Sequence, residues 1–172
     1  MNTPIYDAIL RRRSVRSYQD TPVERDALIH LVKAGAAAPS ATNRQPWEFV
    51  VVTDPTVLEK LRHVHAYSNY QAPAAIVVCG NMERAYKTTG REFWIQDCSA
   101  ATQNILLAAL DLGLGTCWIG GFPLKANLKK LAEILALPEH VVPLGTIYVG
   151  YPAAEPEPRT QYTDAIIHWE QF

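Results

Sequence analysis

Residues 95–122, IQDCSAATQNILLAALDLGLGTCWIGGF, decide how this chain is built. Over residues 95–112 the apolar positions Ala100, Ala101, Ile105, Leu106, Leu107, Ala109 and Leu110 surround the helix nearly all the way round. Such a helix belongs at the centre of a domain or in a subunit interface, because it has little polar surface to give to water. Gly113 and Gly115 end it, residues 116–119 predict a short strand, and Gly120 and Gly121 follow at once.

Upstream of this helix, residues 74–79 form a continuous apolar run, the pattern of a strand buried on both faces. The Val- and aromatic-rich residues 47–53 predict a second strand, and residues 142–151 another. Helices are expected over residues 1–13, from Asp20-Thr21-Pro22 to near Pro39, from Asp54-Pro55 onward with Leu58, Leu61 and Val64 inward, and over 124–135. Pro152, Pro156 and Pro158 mark an extended, exposed linker. Beyond it, residues 165–169 (Ala-Ile-Ile-His-Trp) predict a last short strand, on an arm long enough to reach a partner subunit. Helices and strands in this order favour an α+β fold with a mixed central β-sheet flanked by helices over a doubly wound fold. No internal repeat divides residues 1–172, so a single domain is expected, with residues 152–172 as its C-terminal arm.

Composition narrows the function. Sixteen basic against seventeen acidic side chains leave a net charge of −1, whereas a general nucleic-acid binder carries a basic surplus. No apolar run reaches the roughly 20 residues needed to cross a bilayer, and the first residues lack a signal-peptide pattern. Cys79, Cys98 and Cys117 are an odd set in apolar surroundings, expected as buried free thiols of a cytoplasmic protein.

Against that neutral background stands Arg11-Arg12-Arg13-Ser14-Val15-Arg16. Guanidinium groups match phosphate oxygens and a serine hydroxyl adds a donor. Cations at a helix end also compensate the helix dipole and often do nothing more. A second polar cluster, APSATNRQPW (residues 38–47), joins a helix to a strand with side chains suited to bonding a ligand's edges. The Gly113–Gly121 segment fails the dinucleotide fingerprint, because Trp118 stands where its third glycine belongs. Gly120-Gly121 instead lets backbone approach a flat ligand. His63 and His65 are two apart on a helix and make a poor metal pair, so no metal site is expected. Asp97-Cys98-Ser99 has no glycine elbow, and no carboxylate pair suggests acid–base work. Binding equipment without catalytic side chains points to a cofactor that carries the chemistry itself.

These segments resemble the nitroreductase family of flavin mononucleotide (FMN) enzymes. Arg12-x-Ser14-x-Arg16, residues 38–47, the helix running into LGLGTCWIGG (residues 112–121) and Val149-Gly-Tyr-Pro152 stand in the family's order and spacing across nearly the whole chain. The resemblance implies a nitroreductase-like α+β homodimer with its C-terminal arm exchanged and two FMN sites at the interface. It implies that Arg12, Arg13 and Ser14 hold the phosphate and ribityl chain, and that Arg16 lies by the pyrimidine edge, stabilising negative charge on the reduced ring. Pro39, Ser40, Ala41 and Asn43 approach the flavin, the first three from the partner. Gly120 and Gly121 give N–H groups to N5 and O4, and Arg159 completes the phosphate clamp. Larger members carry an acidic residue at Gly120 and two basic residues near the clamp. Tyr67, Asn69 and Tyr70 fall where the family covers the ring edge. Trp94 is either a lid over the flavin or a core aromatic.

The implied activity is hydride transfer from NADH or NADPH through flavin N5 to an electron-poor acceptor (nitroaromatic, quinone or enone) in a ping-pong cycle. No protein side chain need act as acid or base. Alternatives are a relative that performs reductive dehalogenation or flavin breakdown, and a non-enzymatic flavin-binding redox sensor. The sequence selects neither the acceptor nor the nucleotide.

Overall fold

Alternation in four strands sets the layers. The computed structural model describes residues 3–88, 90 and 92–172. Strands β1 (Trp47–Val52), β2 (Ala74–Asn81), β3 (Gly115–Gly120) and β4 (Val141–Gly150) form one sheet in the order β1-β2-β4-β3. Along β2, Ala74, Ile76 and Val78 face one core and Ala75, Val77 and Cys79 the other, so its unbroken apolar run serves two layers. Helices α2 (Arg25–Ala36) and α4 (Phe93–Asp111) cover the first face through Leu28, Leu31, Ala101 and Ile105. Helices α3 (Pro55–Arg62) and α5 (Lys125–Leu135) cover the second through Leu58, Leu61 and Leu131. Asp54 starts α3 by accepting the N–H groups of Thr56 and Val57 on Oδ1, at 2.8 and 3.0 Å.

Every neighbouring strand pair is antiparallel, which corrects the mixed sheet expected from the sequence. Helix α4 does join two strands of like direction, β2 and β3. However, β4 is inserted between them and runs the other way, so no parallel neighbours remain. A helix between two strands fixes their directions only when nothing later enters the gap.

The expected helix at residues 1–13 is α1 (Pro4–Arg11), with residues 1 and 2 outside the described ones. Helix α2 begins at Arg25 rather than at Asp20, because Val23 is drawn into the core ahead of it. The last strand expected at residues 165–169 is not formed. Asp164–Ile166 is a short 3₁₀ turn, closed by Ile166 and Ile167 N–H bonds to Thr163 and Asp164 carbonyls. A lone strand with no sheet edge beside it leaves its backbone unpaired, and local bonds win. Ile166, Ile167, Trp169 and Phe172 are exposed.

Candidate functional site

The arginine run lies against the outer edge of the sheet. Helix α1 stops at Arg11 and the chain straightens, so that Val15 N–H donates to the Thr116 carbonyl at 2.9 Å, beside a parallel bridge between Ser14 and Thr116. Gly115 allows this approach, since a Cβ there would lie 2.7 Å from Val15 Cγ2. Val15 is buried, which leaves Ser14 and Arg16 projecting into solvent.

The four arginines separate by role. Arg11 pairs with Asp7 (3.6 Å, one turn back) and reaches Glu155 (3.9 Å), the work of a helix-end cation. Arg13 donates from Nη1 to the Glu157 carbonyl. Among the described residues, Arg12 and Arg16 form no ion pair; the one hydrogen bond of Arg16's side chain goes to the Ser14 carbonyl at 3.4 Å. Burial pushes the Cys117 thiol up, while the Arg16 and Arg12 charges pull the other way, so both guanidiniums bear on this part of β3.

Residues 151–159 run back along the same segment. Gln19 N–H donates to the Tyr151 carbonyl (2.9 Å), Ala153 N–H to Ser17 (3.0 Å) and Arg159 N–H to Leu10 (3.3 Å). Arg159 therefore joins the arginine run within its own chain. Between arm, run and the end of α4 lies a cavity of about 500 Å³, lined by Arg12, Leu106, Leu110, Gly115 and Thr116 among others.

Hydrogen-bond parity shows which groups of β3 are free. Gly121 N–H donates to the Leu144 carbonyl (2.8 Å), so it is committed to β4. Residues of an antiparallel strand alternate in the direction of their bonds. With Gly120 opposite Gly145 and Trp118 opposite Ile147, the peptide groups of Thr116, Trp118 and Gly120 face away from β4. The Val15 bond to Thr116 O has this parity. Gly120 is exposed, and a Cβ placed on it meets nothing within 4 Å. Next to it the Trp118 indole lies over Gly145, where a Cβ would come within 2.6 Å of Nε1. The result is a strip of bare backbone at Gly120, bordered by the Trp118 indole, with an outward N–H and, towards Thr116, two guanidiniums that form no ion pair among the described residues. A flat, anionic ligand with an acceptor on its ring edge fits that strip.

The loop at residues 39–45 is held in an unusual shape. Thr42, Asn43 and Gln45 have φ of 50°, 54° and 49°, left-handed values that suit asparagine but crowd a β-branched threonine. Ser40 Oγ accepts Gln45 N–H at 2.9 Å, and Asn43 Oδ1 accepts from the Gln45 amide at 3.2 Å. Ser40 O–H and the Asn43 amide N–H₂ therefore remain as donors. Ala41 N–H is used internally, donating to Asp97 Oδ1 at 2.8 Å. No hydrogen bond or ion pair among the described residues joins this loop to residues 12–16 or 118–121.

Asp97, weighed in the sequence only as part of an Asp-Cys-Ser segment without a glycine elbow, is where this loop is tied to α4. It is 5% exposed, and its Oδ2 has no partner among the described residues. The available signal was its position, an acid in the second turn of a largely apolar helix whose other acid, Asp111, is its last residue. Trp94 belongs to the core: it is buried, packs edge-on against Phe122 (5.2 Å) and fills the space at Gly80, where a Cβ would lie 2.4 Å from its ring. Tyr67 and Asn69 are exposed, and Tyr70 packs edge-on against Tyr148 (5.8 Å). His63 pairs with Glu59, and His65 Nδ1 meets the Asn127 amide at 2.8 Å, so the two histidines serve different helices. Cys79, Cys98 and Cys117 are free and buried. No helix among the described residues is long and apolar enough to cross a membrane.

Comparison with known proteins gives this geometry a context. The sequence profile of the nitroreductase family matches residues 9–69 and 61–151. A protein of Methanothermobacter thermautotrophicus named "Putative NADH dehydrogenase/NAD(P)H nitroreductase" is 41% identical over 170 residues, covering 98% of this chain and 87% of that one. The crystal structure of a Bacteroides thetaiotaomicron protein of the same name superposes with a TM-score of 0.93 at 37% identity, covering both chains completely. The FMN-dependent nitroreductase of Clostridium difficile R20291 superposes at 0.86 with 30% identity, over 96% of this chain and 98% of its own.

Proposed function

This chain belongs to the nitroreductase family, and from that premise we propose that it is an FMN-dependent NAD(P)H oxidoreductase acting on electron-poor acceptors such as nitroaromatics, quinones or enones. The observation that carries the reading is the bare backbone at Gly120, with its outward N–H, on the same strand whose Cys117 feels the charges of Arg12 and Arg16, which form no ion pair among the described residues. When bound, FMN would supply the redox chemistry of hydride transfer between NADH or NADPH and the acceptor, in a ping-pong cycle with one shared pocket, which the chain's own side chains do not supply.

The chain's own residues bind and bias. Arg12, Arg13, Ser14 and Arg159 hold the phosphate and ribityl end, with Arg13 anchored on the returning arm at Glu157 and Arg159 brought beside them by its N–H bond to Leu10. Arg16 keeps a positive charge where negative charge develops on the ring. Gly120 donates its N–H to the ring edge, while Gly121, with its N–H on Leu144, holds the turn that presents it. Pro39, Ser40, Ala41 and Asn43 approach the ring, the first three from a second copy of the chain.

A homodimer is part of the proposal. Ile5, Tyr6 and Ile9 of α1 and Tyr162, Ile166 and Trp169 of the arm are exposed apolar groups in one chain, and a second copy covers them. One FMN-binding domain over residues 1–172, acting in the cytoplasm, completes the reading.

The test is the visible absorption spectrum of purified protein, before and after anaerobic NADH or NADPH. A flavin spectrum bleached by one nucleotide and restored by a quinone supports the proposal and names the donor. A protein that neither carries nor takes up FMN refutes it.

A further inference from the structure

The loop at residues 39–45 is joined to the rest of the described chain by one hydrogen bond, from Ala41 N–H to Asp97 Oδ1 at 2.8 Å. Its other bonds are internal: Asn43 N–H to Ser40 O, Arg44 N–H to Ala41 O, and the Ser40 and Asn43 side chains to Gln45. A segment so built keeps its own shape, but its position depends on where Asp97 holds it. Burying a carboxylate carries a large desolvation cost, and among the described residues only one of its oxygens finds a donor. A neutral apolar residue in this turn would fold more easily. Left-handed φ at Thr42 and Gln45 adds strain that a free segment would relax.

We infer that Asp97 is a positioning residue for flavin binding: from inside α4 it fixes the loop that reaches the ring. The inference rests on the FMN reading given above. Asp97 touches neither cofactor nor substrate. It acts by holding Ala41, so that Ser40 O–H and the Asn43 amide point outward from a fixed backbone.

Two variants and a control separate this role from general stability. Asp97→Asn keeps an oxygen acceptor for Ala41 N–H, and Asp97→Ala removes it. Ile76→Val, in the fully buried centre of β2, lowers stability without touching the loop. The readouts are the FMN dissociation constant, by flavin fluorescence titration of apoprotein, and amide exchange at Ala41 in FMN-free protein. Asp97→Ala is expected to bind FMN about tenfold more weakly and to exchange the Ala41 amide rapidly. Asp97→Asn is expected to stay within about threefold of the parent on both, and Ile76→Val to keep parental FMN affinity.

If Asp97→Ala binds FMN like the parent, the inference is overturned while the FMN reading stands. The same holds if Ile76→Val loses as much affinity as Asp97→Ala. A parent protein that binds no FMN overturns the functional reading and this inference with it.

Discussion

Two substitutions at Gly120 separate its N–H from its lack of a side chain. Gly120→Ala adds a Cβ that meets nothing within 4 Å, and Gly120 does not have the left-handed φ that would strain alanine. The remaining effect lies in the unfolded chain, which loses conformational freedom. Folding should gain about 0.4–1 kcal/mol. For a chain of this length that is a rise in Tm of roughly 1–4 °C for the apoprotein. FMN affinity should fall less than in a variant that also loses the N–H, because the added Cβ crowds the ring's approach while the N–H is still present.

Gly120→Pro removes that N–H. By strand parity it faces away from β4, so the β3–β4 ladder keeps its bonds and the variant should fold, as proline does on an edge strand. What it loses is the proposed bond to the ring edge, about 1–2 kcal/mol once the acceptor is left unpaired, or roughly 5–30-fold in Kd. Thermal melts of apoprotein and fluorescence titration with FMN measure both quantities. Parental FMN affinity in Gly120→Pro would refute the role of the N–H. A Gly120→Pro that cannot fold beside a stable Gly120→Ala would refute the parity argument.

Gly145→Ala, directly across the ladder, should behave oppositely. Its Cβ would lie 2.5 Å from the Ile119 carbonyl and 2.6 Å from Trp118 Nε1, and the backbone cannot yield, so about 1–3 kcal/mol of stability should be lost, visible in a melt. Arg16→Ala should change stability by less than about 0.5 kcal/mol, since its guanidinium makes only a 3.4 Å contact to Ser14 O, yet slow flavin reduction in stopped flow; an unchanged rate contradicts its electrostatic role. Burial pushes the Cys79 and Cys98 thiols from 9.0 up to about 12 and also raises Tyr148, to about 12. Groups held neutral by folding stabilise fully below their unfolded values. Denaturant midpoints should therefore hold steady to about pH 8.5 and fall as the pH rises from 9 towards 12. Native protein should also resist a thiol reagent at pH 8 until denaturant is added.

Where a segment's environment follows from its own composition, its structure was legible. The unbroken run of β2, the Asp54-Pro55 start of α3 and the all-round apolar α4 each state whether they face water, and the helices and strands formed within a few residues of their expected places. The arginine run and Gly120 were legible as an anion site and a bare backbone for the same reason, because an unmatched charge or a missing Cβ is written in the chain. Strand direction was not: β4 enters the sheet from 30 residues beyond α4 and turns a like-directed pair into an antiparallel sheet. Nor was the fate of residues 165–169, whose apolar side chains predict a strand only where an edge is available to pair with.

The sequence by itself determined the layers, the cores and the chemical character of the site, which depend on local pattern and side-chain type. Tertiary structure alone decided which N–H of the glycine pair is free, which arginines are already engaged, and that Asp97 holds the loop at residues 39–45. Each of these is a question of partners far apart in the chain, and a hydrogen bond or ion pair is committed only when the fold brings its two ends within about 3–4 Å.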